Sequence, residues 1–374
     1  MVSIAFTGDT AFSKHFTGAY ERDFISDEVK NFLRKSDHVV ANVEGCITAG
    51  NFARPGGLKH ATSPDAIPTL LDLGAKIWTL ANNHTMDCGA EGLEDTLRLA
   101  AENGVTTVGA GMNIDEAAKP IYLEGAGGIG IFSVVYDSKV LHAEKDKPGC
   151  LAHTEEEYVR KNIAEIKSKC RWCIVVSHAG AEFSQLPLPY IRKRYLNYLK
   201  MGADFVVGHH PHVAQNYEIV GKKAIFYSLG NFIFDTDYQR NQRYTENGVL
   251  LRLNLTEEGY AFEAMATHID RETMSVVKGE LPAHFKHLSP FQYHLLWPHA
   301  CVDYSANNRN AVLFLHPDYA QQPLKMWFDR AAKFHGKAFA VQRYYTMPFV
   351  AKFLPLWRLG DKDVRDYIPT HKKK

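Results

Sequence analysis

Short apolar runs alternate with amphipathic stretches over the first 215 residues. VSIAFT (2–7), HVVAN (38–42), KIWTLA (76–81), WCIVVS (172–177) and ADFVVG (203–208) each have the length and content of a buried strand. Helical spacing lies between them. The stretch 63–73 has Pro64 in its first turn and Gly74 as a stop; 90–103 carries Leu93, Leu97 and Ala101 on one face and ends at Gly104. The stretch 154–169 opens on a Thr154–Glu157 capping box, and 189–200 is stopped near Gly202. Strands alternating with helices of this length predict βαβ units and a largely parallel or mixed sheet.

Beyond residue 215 the pattern turns to β. Segments 217–220 and 224–229 predict a hairpin continuing into 232–234, and 249–256 with 260–269 predict a second hairpin; together they are expected to form a second sheet packed on the first. From residue 281 the rhythm fades, with one further strand expected at 306–315. The chain is therefore divided into a domain of residues 1–280 and an extension of 281–374. A length of 374 residues suits one large domain with an appendage.

Polar residues follow each apolar run. Asp9 follows the first, Asn42 and Glu44 the second, Asn82, Asn83 and His84 the third, His178 the fourth, and His209, His210 and His212 the fifth. In α/β sheets ligands bind beyond the carboxyl ends of strands, where all five clusters lie. Taken singly, Asp9 could cap a helix, Asn83 make a turn and His178 be a satisfied buried histidine. Their shared placement favours a joint site. Carboxylate and imidazole donors without thiolate suit Mn²⁺, Fe²⁺ or Zn²⁺, and their number exceeds what one tetrahedral ion needs, so two ions bridged by a carboxylate are expected.

Charge changes the picture only near the C-terminus. The chain has a net charge of +1, which offers no general attraction to nucleic acid, yet residues 323–374 hold twelve Lys and Arg against four Asp and Glu, leaving −7 on the rest. This tail is rich in Trp, Phe and Tyr, a mixture suited either to packing on the main domain or to a lipid headgroup surface or acidic partner. No leader-like or membrane-spanning apolar run is visible, and the six cysteines show no secreted disulfide framework, so the expected location is cytoplasmic, with packing of the tail on the main domain favoured over peripheral membrane contact. The lone Cys170-x-x-Cys173 pair is weak evidence for zinc.

The ordered motifs Gly8-Asp9, NVEG (42–45), LANNHTMDCG (80–89), SHAGAEF (177–183), GADFVVGHHPHVAQ (202–215) and YSLGNFIFD (227–235) resemble the CapA family of bacterial capsule and poly-γ-glutamate synthesis proteins. That family is similar to the calcineurin-like metallophosphoesterases. The resemblance covers about residues 2–270 and implies an αββα sandwich: two mixed sheets flanked by helices, here with a basic aromatic extension. It implies that Asp9, Glu44, Asn83, His178, His210 and His212 are metal ligands, Glu44 bridging, and that His84 stabilises the phosphoryl group or protonates the leaving oxygen. The superfamily's histidine two residues after the first aspartate is replaced by Ala11. Asn42, Asn82, Glu182, His209, Asn231 and Asp235 are expected to contact substrate or support the ligands, with Asp87 helping to hold the Asn83–His84 pair.

Three functions stay open on this reading: a metal-dependent phosphoesterase-like hydrolase of capsule or polymer biosynthesis, a non-catalytic polymer-binding component of the assembly machinery, and an amide hydrolase acting on γ-glutamyl bonds. The expected partner is a polymer or phosphorylated substrate.

Overall fold

The computed structural model describes residues 1–50, 59–136, 141–293 and 296. Its strands run in chain order as β1 (Val2–Thr10), β2 (His38–Val43), β3 (Ile77–Thr79), β4 (Thr106–Val108), β5 (Ile121–Leu123), β6 (Ile129–Val135) and β7 (Trp172–His178). They continue as β8 (Phe205–His209), β9 (Tyr217–Val220), β10 (Lys223–Phe226), β11 (Asn231–Ile233), β12 (Asn247–Leu255), β13 (Tyr260–Asp270) and β14 (Ser275–Lys278). The main helices are α1 (Asp27–Arg34), α2 (Ile67–Asp72), α3 (Gly89–Glu102), α4 (Glu156–Lys169) and α5 (Pro189–Met201).

Two mixed sheets result. The first has the order β14-β13-β12-β1-β2-β3-β4, with β11 also paired to β1; the second has the order β9-β10-β8-β7-β6-β5. Strands β1 to β4 are mutually parallel, as are β6, β7, β8 and β10, while the hairpins add antiparallel edges.

Alternation along the central strands fixes the layers, because successive side chains of a strand face opposite sides. Ile4 and Phe6 of β1, Ile174 and Val176 of β7, and Phe205 and Val207 of β8 meet in one buried cluster between the sheets. The intervening Ala5 packs with Val29 and Leu33 of α1, Leu70 of α2 and Leu93 of α3. On the far side Val175 and Val206 pack with Ile163 and Ile166 of α4 and Tyr195 and Leu199 of α5. Helices, sheet, sheet and helices follow in that order, the expected αββα sandwich.

The division between sheets differs from the expectation. The hairpin of β12 and β13 extends the first sheet, because β12 pairs antiparallel with β1 from Val2↔Leu255 to Phe6↔Leu251. Strands β7 and β8, expected beside β1, lie in the second sheet with the β9–β10 hairpin. Residues 227–230 cross from one sheet to the other, so 232–234 does not continue the β10 strand; Asn231 pairs with Asp9 instead. Gly8 permits that crossing, since a Cβ there would stand 2.3 Å from the Gly230 carbonyl oxygen.

The predicted capping box is also corrected. Glu155 precedes α4 and caps it with no side-chain bond, while Thr154 lies in a preceding turn whose carbonyl accepts from Glu156 N at 2.8 Å. The start of the expected extension packs on the domain. Tyr217 N donates to Lys286 O at 3.1 Å, and Tyr293 Oη donates to Pro187 O at 2.8 Å. The expected strand at 306–315 and the basic tail 323–374 lie outside the described residues.

Phe205 is fully buried between the sheets, its ring 5.5 Å from Trp172 and 4.8 Å from Tyr260. Phe205→Ala is expected to lower unfolding free energy by about 3–5 kcal/mol, measured by urea denaturation. A loss below about 1 kcal/mol would show that this cluster does not join the layers.

Candidate metal centre

The carboxyl ends of β1 and β2 face those of β7 and β8, and the predicted donors converge there. Asp9 is fully buried and accepts from Asn42 Nδ2 at 2.8 Å, which makes Asn42 an orienting residue for the carboxylate. His209 Nδ1 and His212 Nδ1 stand 3.2 and 3.1 Å from its two oxygens. Glu44 leaves β2 with its backbone N–H bonded to Thr10 O at 2.8 Å, which carries its side chain into the same space.

Glu44 is 1% exposed, and neither of its carboxylate oxygens has a hydrogen-bond donor among the described residues. Its Oε1 lies 3.7 Å from His178 Nε2, 3.7 Å from His212 Nε2 and 3.9 Å from His84 Nε2. These separations are too long for hydrogen bonds. They suit donors arranged around a divalent cation with bonds of about 2.0–2.2 Å. Among the described residues two groups have the proximity to hold an ion: Asp9, Glu44 and His178, and Glu182, His210 and His212. Glu182, expected to contact substrate or support the ligands, thus stands among potential oxygen donors. Asn83 Oδ1 lies 2.8 Å from His178 Nε2, close to the first group.

Electrostatics separate the carboxylates. Burial opposes ionisation of Asp9, but His209 and His212 hold its carboxyl well below the usual range. Burial pushes Glu44 well above that range, and Asp9 adds to the shift against the opposition of His212. His212 rises to about 10 because Glu44 and Asp9 outweigh its burial. Burial, reinforced by His212, lowers His210 to about 3, and burial reinforced by His210 lowers His178 well below 6.5. Neutral imidazoles are the form that binds metal.

The loop after β8 carries backbone strain. His210 has φ 94°, His212 φ 56° and the facing Phe183 φ 65°, a left-handed region that side chains other than glycine seldom adopt. Phe183 N donates to Pro211 O at 2.8 Å and ties the Glu182 loop to this one. Asn231 Oδ1 accepts from His212 Nδ1 at 3.0 Å and leaves Nε2 directed towards Glu44. Asp235, expected to contact substrate or support the ligands, has its carboxylate bound by Arg240 Nε at 2.5 Å and Arg271 Nε at 3.1 Å.

Asn82 joins the loops of Glu44 and His84. Its Oδ1 accepts from Gly45 N and His84 N at 3.2 and 3.1 Å, and its Nδ2 donates to Val43 O at 2.7 Å. Cys46 and Cys88 form a disulfide between the same loops, contrary to the expectation of unpaired cysteines. Disulfides are uncommon in reducing compartments, so the cysteines no longer argue for the cytoplasm. Cys170 and Cys173 are free and belong to neither candidate metal group.

His84 Nδ1 donates to Asp87 Oδ2 at 2.7 Å, which turns Nε2 towards Glu44. His60 was not foreseen. It is 1% exposed, its ring stands 4.3 Å from that of His84 at 86°, and burial followed by the charge of His84 lowers it to about 2. An isolated histidine between a loop and a short strand carries no periodic signal.

A family model described as bacterial capsule synthesis protein PGA_cap matches residues 3–236, a span containing every residue of the centre. The chain belongs to the PGA_cap family. It is 31% identical over 287 residues to the PGA biosynthesis protein CapA of Bacillus subtilis (strain 168), covering 74% of each chain. It is 27% identical over 274 residues to the capsule biosynthesis protein CapA of Bacillus anthracis, covering 70% of this chain and 65% of that relative. Among solved structures, a 5'-nucleotidase from Candida albicans SC5314 overlays 73% of this chain and 53% of its own with a TM-score of 0.39 and 12% identity. The layers described above, not this overlay, carry the fold assignment for this PGA_cap chain.

Gly45 tests how the Glu44 loop is held. It has φ 112°, and a Cβ there would stand 2.1 Å from His60 O. Gly45→Ala is expected to cost on the order of 3 kcal/mol and to weaken binding of added Mn²⁺ by displacing Glu44. Denaturation and isothermal titration check both; wild-type values would contradict the geometry.

Proposed function

We propose that this PGA_cap protein is a divalent-metal-dependent hydrolase of phosphoesterase type acting in capsule or poly-γ-glutamate synthesis, on a polymer or a phosphorylated precursor. The observation that carries the reading is the buried Glu44 carboxylate, which has no hydrogen-bond donor among the described residues and is surrounded by three imidazole Nε2 atoms beside a second buried carboxylate. Leaving such a charge uncompensated costs several kcal/mol.

Asp9, Glu44, Asn83, His178, His210 and His212 would hold two ions, Mn²⁺, Fe²⁺ or Zn²⁺, with Glu182 as a further oxygen donor beside His210 and His212. When bound, the ions supply Lewis acidity to a phosphoryl oxygen and an activated water. Ala11 offers no donor where the superfamily has histidine. The chain's own acid is His84: Asp87 receives its Nδ1–H and stabilises the imidazolium, leaving Nε2–H to protonate the departing oxygen. Asn231 and Asn42 orient His212 and Asp9.

The same donors could polarise an amide carbonyl or hold metal in a non-catalytic polymer-binding component, so the test compares substrates. Protein reconstituted with each metal is assayed on phosphomonoesters, phosphodiesters and γ-glutamyl amides. Ester hydrolysis is expected, abolished by chelation, with His84→Ala lowering kcat by about 10²–10⁴-fold while metal content is retained. Amide cleavage alone would favour the peptidase-like reading. Stoichiometric metal without turnover would favour the accessory role, and absence of metal binding would refute all three.

A further inference from the structure

We propose that His60 is a positioning residue for His84: its imidazole forms the wall that fixes the plane of the His84 ring and so aims Nε2 into the metal centre. The inference rests on the reading of His84 as the proton donor.

His60 is anchored at three points, each on a part of the centre. Its backbone N–H donates to Asp87 Oδ2 at 2.9 Å, the oxygen that also receives His84 Nδ1–H. Its carbonyl accepts from Cys46 N at 3.1 Å, two residues beyond Glu44. Its ring Nδ1 lies 2.6 Å from Ser13 Oγ, four residues beyond Asp9. The residue is thus tied by its ring to the segment following Asp9 and by its backbone to the loops bearing Glu44 and His84. It meets His84 edge to face, and its other neighbour is Phe234 at 4.7 Å, which stacks on His212 at 4.6 Å.

Asp87 selects the tautomer of His84, but one hydrogen bond leaves the imidazole free to swing about it. Packing against His60 removes that freedom. In the reaction a water oxygen bonds to phosphorus as the P–O bond to the leaving group breaks; the Nε2 proton passes to the leaving oxygen and is replaced by the one the water gives up, a transfer that depends on donor position. Its value depends on the leaving group. A phenoxide needs the proton, whereas a 4-nitrophenoxide departs readily without it.

The experiment compares His60→Ala and His60→Phe in metal-loaded protein on phenyl phosphate and 4-nitrophenyl phosphate, with metal content measured throughout. His60→Ala is expected to lower kcat on phenyl phosphate about tenfold more than on 4-nitrophenyl phosphate, with KM and metal content unchanged. His60→Phe, which restores a ring wall, is expected to recover most of that loss. Equal loss on both esters accompanied by loss of metal, or no loss on either, overturns the proposal.

A second readout does not need turnover. Nitrogen-15 spectra of histidine-labelled, zinc-loaded protein are expected to show one His84 ring conformer, its Nδ1–H held on Asp87, in wild type and His60→Phe, and an averaged ring in His60→Ala. An unchanged His84 spectrum in His60→Ala overturns the positioning role. If the wild type cleaves neither ester, this spectrum alone decides the role of His60, and the phosphoesterase reading is decided separately by the phosphodiester assay.

Discussion

Two carboxylates, Asp9 and Glu44, are buried side by side at the junction of the two sheets, and positive charge must meet them there. Protein groups satisfy only one of the pair. Asp9 receives Asn42 and faces His209 and His212, while Glu44 receives no donor. A desolvated carboxylate without a partner is among the most costly features a core can contain, and a divalent cation offsets it directly. His178 and His210, with Glu182, complete two donor groups around that need.

The sandwich places these groups with little help from loops. Asp9, Asn42, His178 and His209 are on strands, two in each sheet, so the centre is a seam between sheets rather than a pocket in one of them. Where loops contribute, they are constrained. His210, His212 and Phe183 occupy left-handed backbone conformations. Asn82, the Cys46–Cys88 disulfide and the backbone of His60 join the Glu44 loop to the His84 loop. Backbone strain of about 1–3 kcal/mol per residue persists only where surrounding structure over-determines it, and such strain concentrates at functional sites.

Much of the centre was legible because each donor follows an apolar run, and a strand end is where an α/β sheet presents polar groups. Sheet membership was less legible. The β12–β13 hairpin and the crossing at residues 227–230 are set by pairing with β1, across more than 200 residues, which no local periodicity records. Strand β6 is absent from the expected strands although IGIFSVV is apolar apart from Ser133, since the residue that follows it, Tyr136, is not a ligand type. His60 has no signature at all, since its role comes from contacts with Ser13, Cys46 and Asp87. Family resemblance assigns separate roles to Asn83 and His84, which spacing alone does not, yet it gives no indication that Glu182 stands with His210 and His212.

The most direct test of the central claim is anomalous diffraction from crystals of the protein grown with Mn²⁺. The account predicts anomalous peaks within about 2.0–2.4 Å of a Glu44 oxygen, an Asp9 oxygen and the nitrogens of His178 and His212, with occupancy lost in Glu44→Gln. Crystals without anomalous density at this seam, with Glu44 instead protonated and hydrogen-bonded to an imidazole, would contradict it.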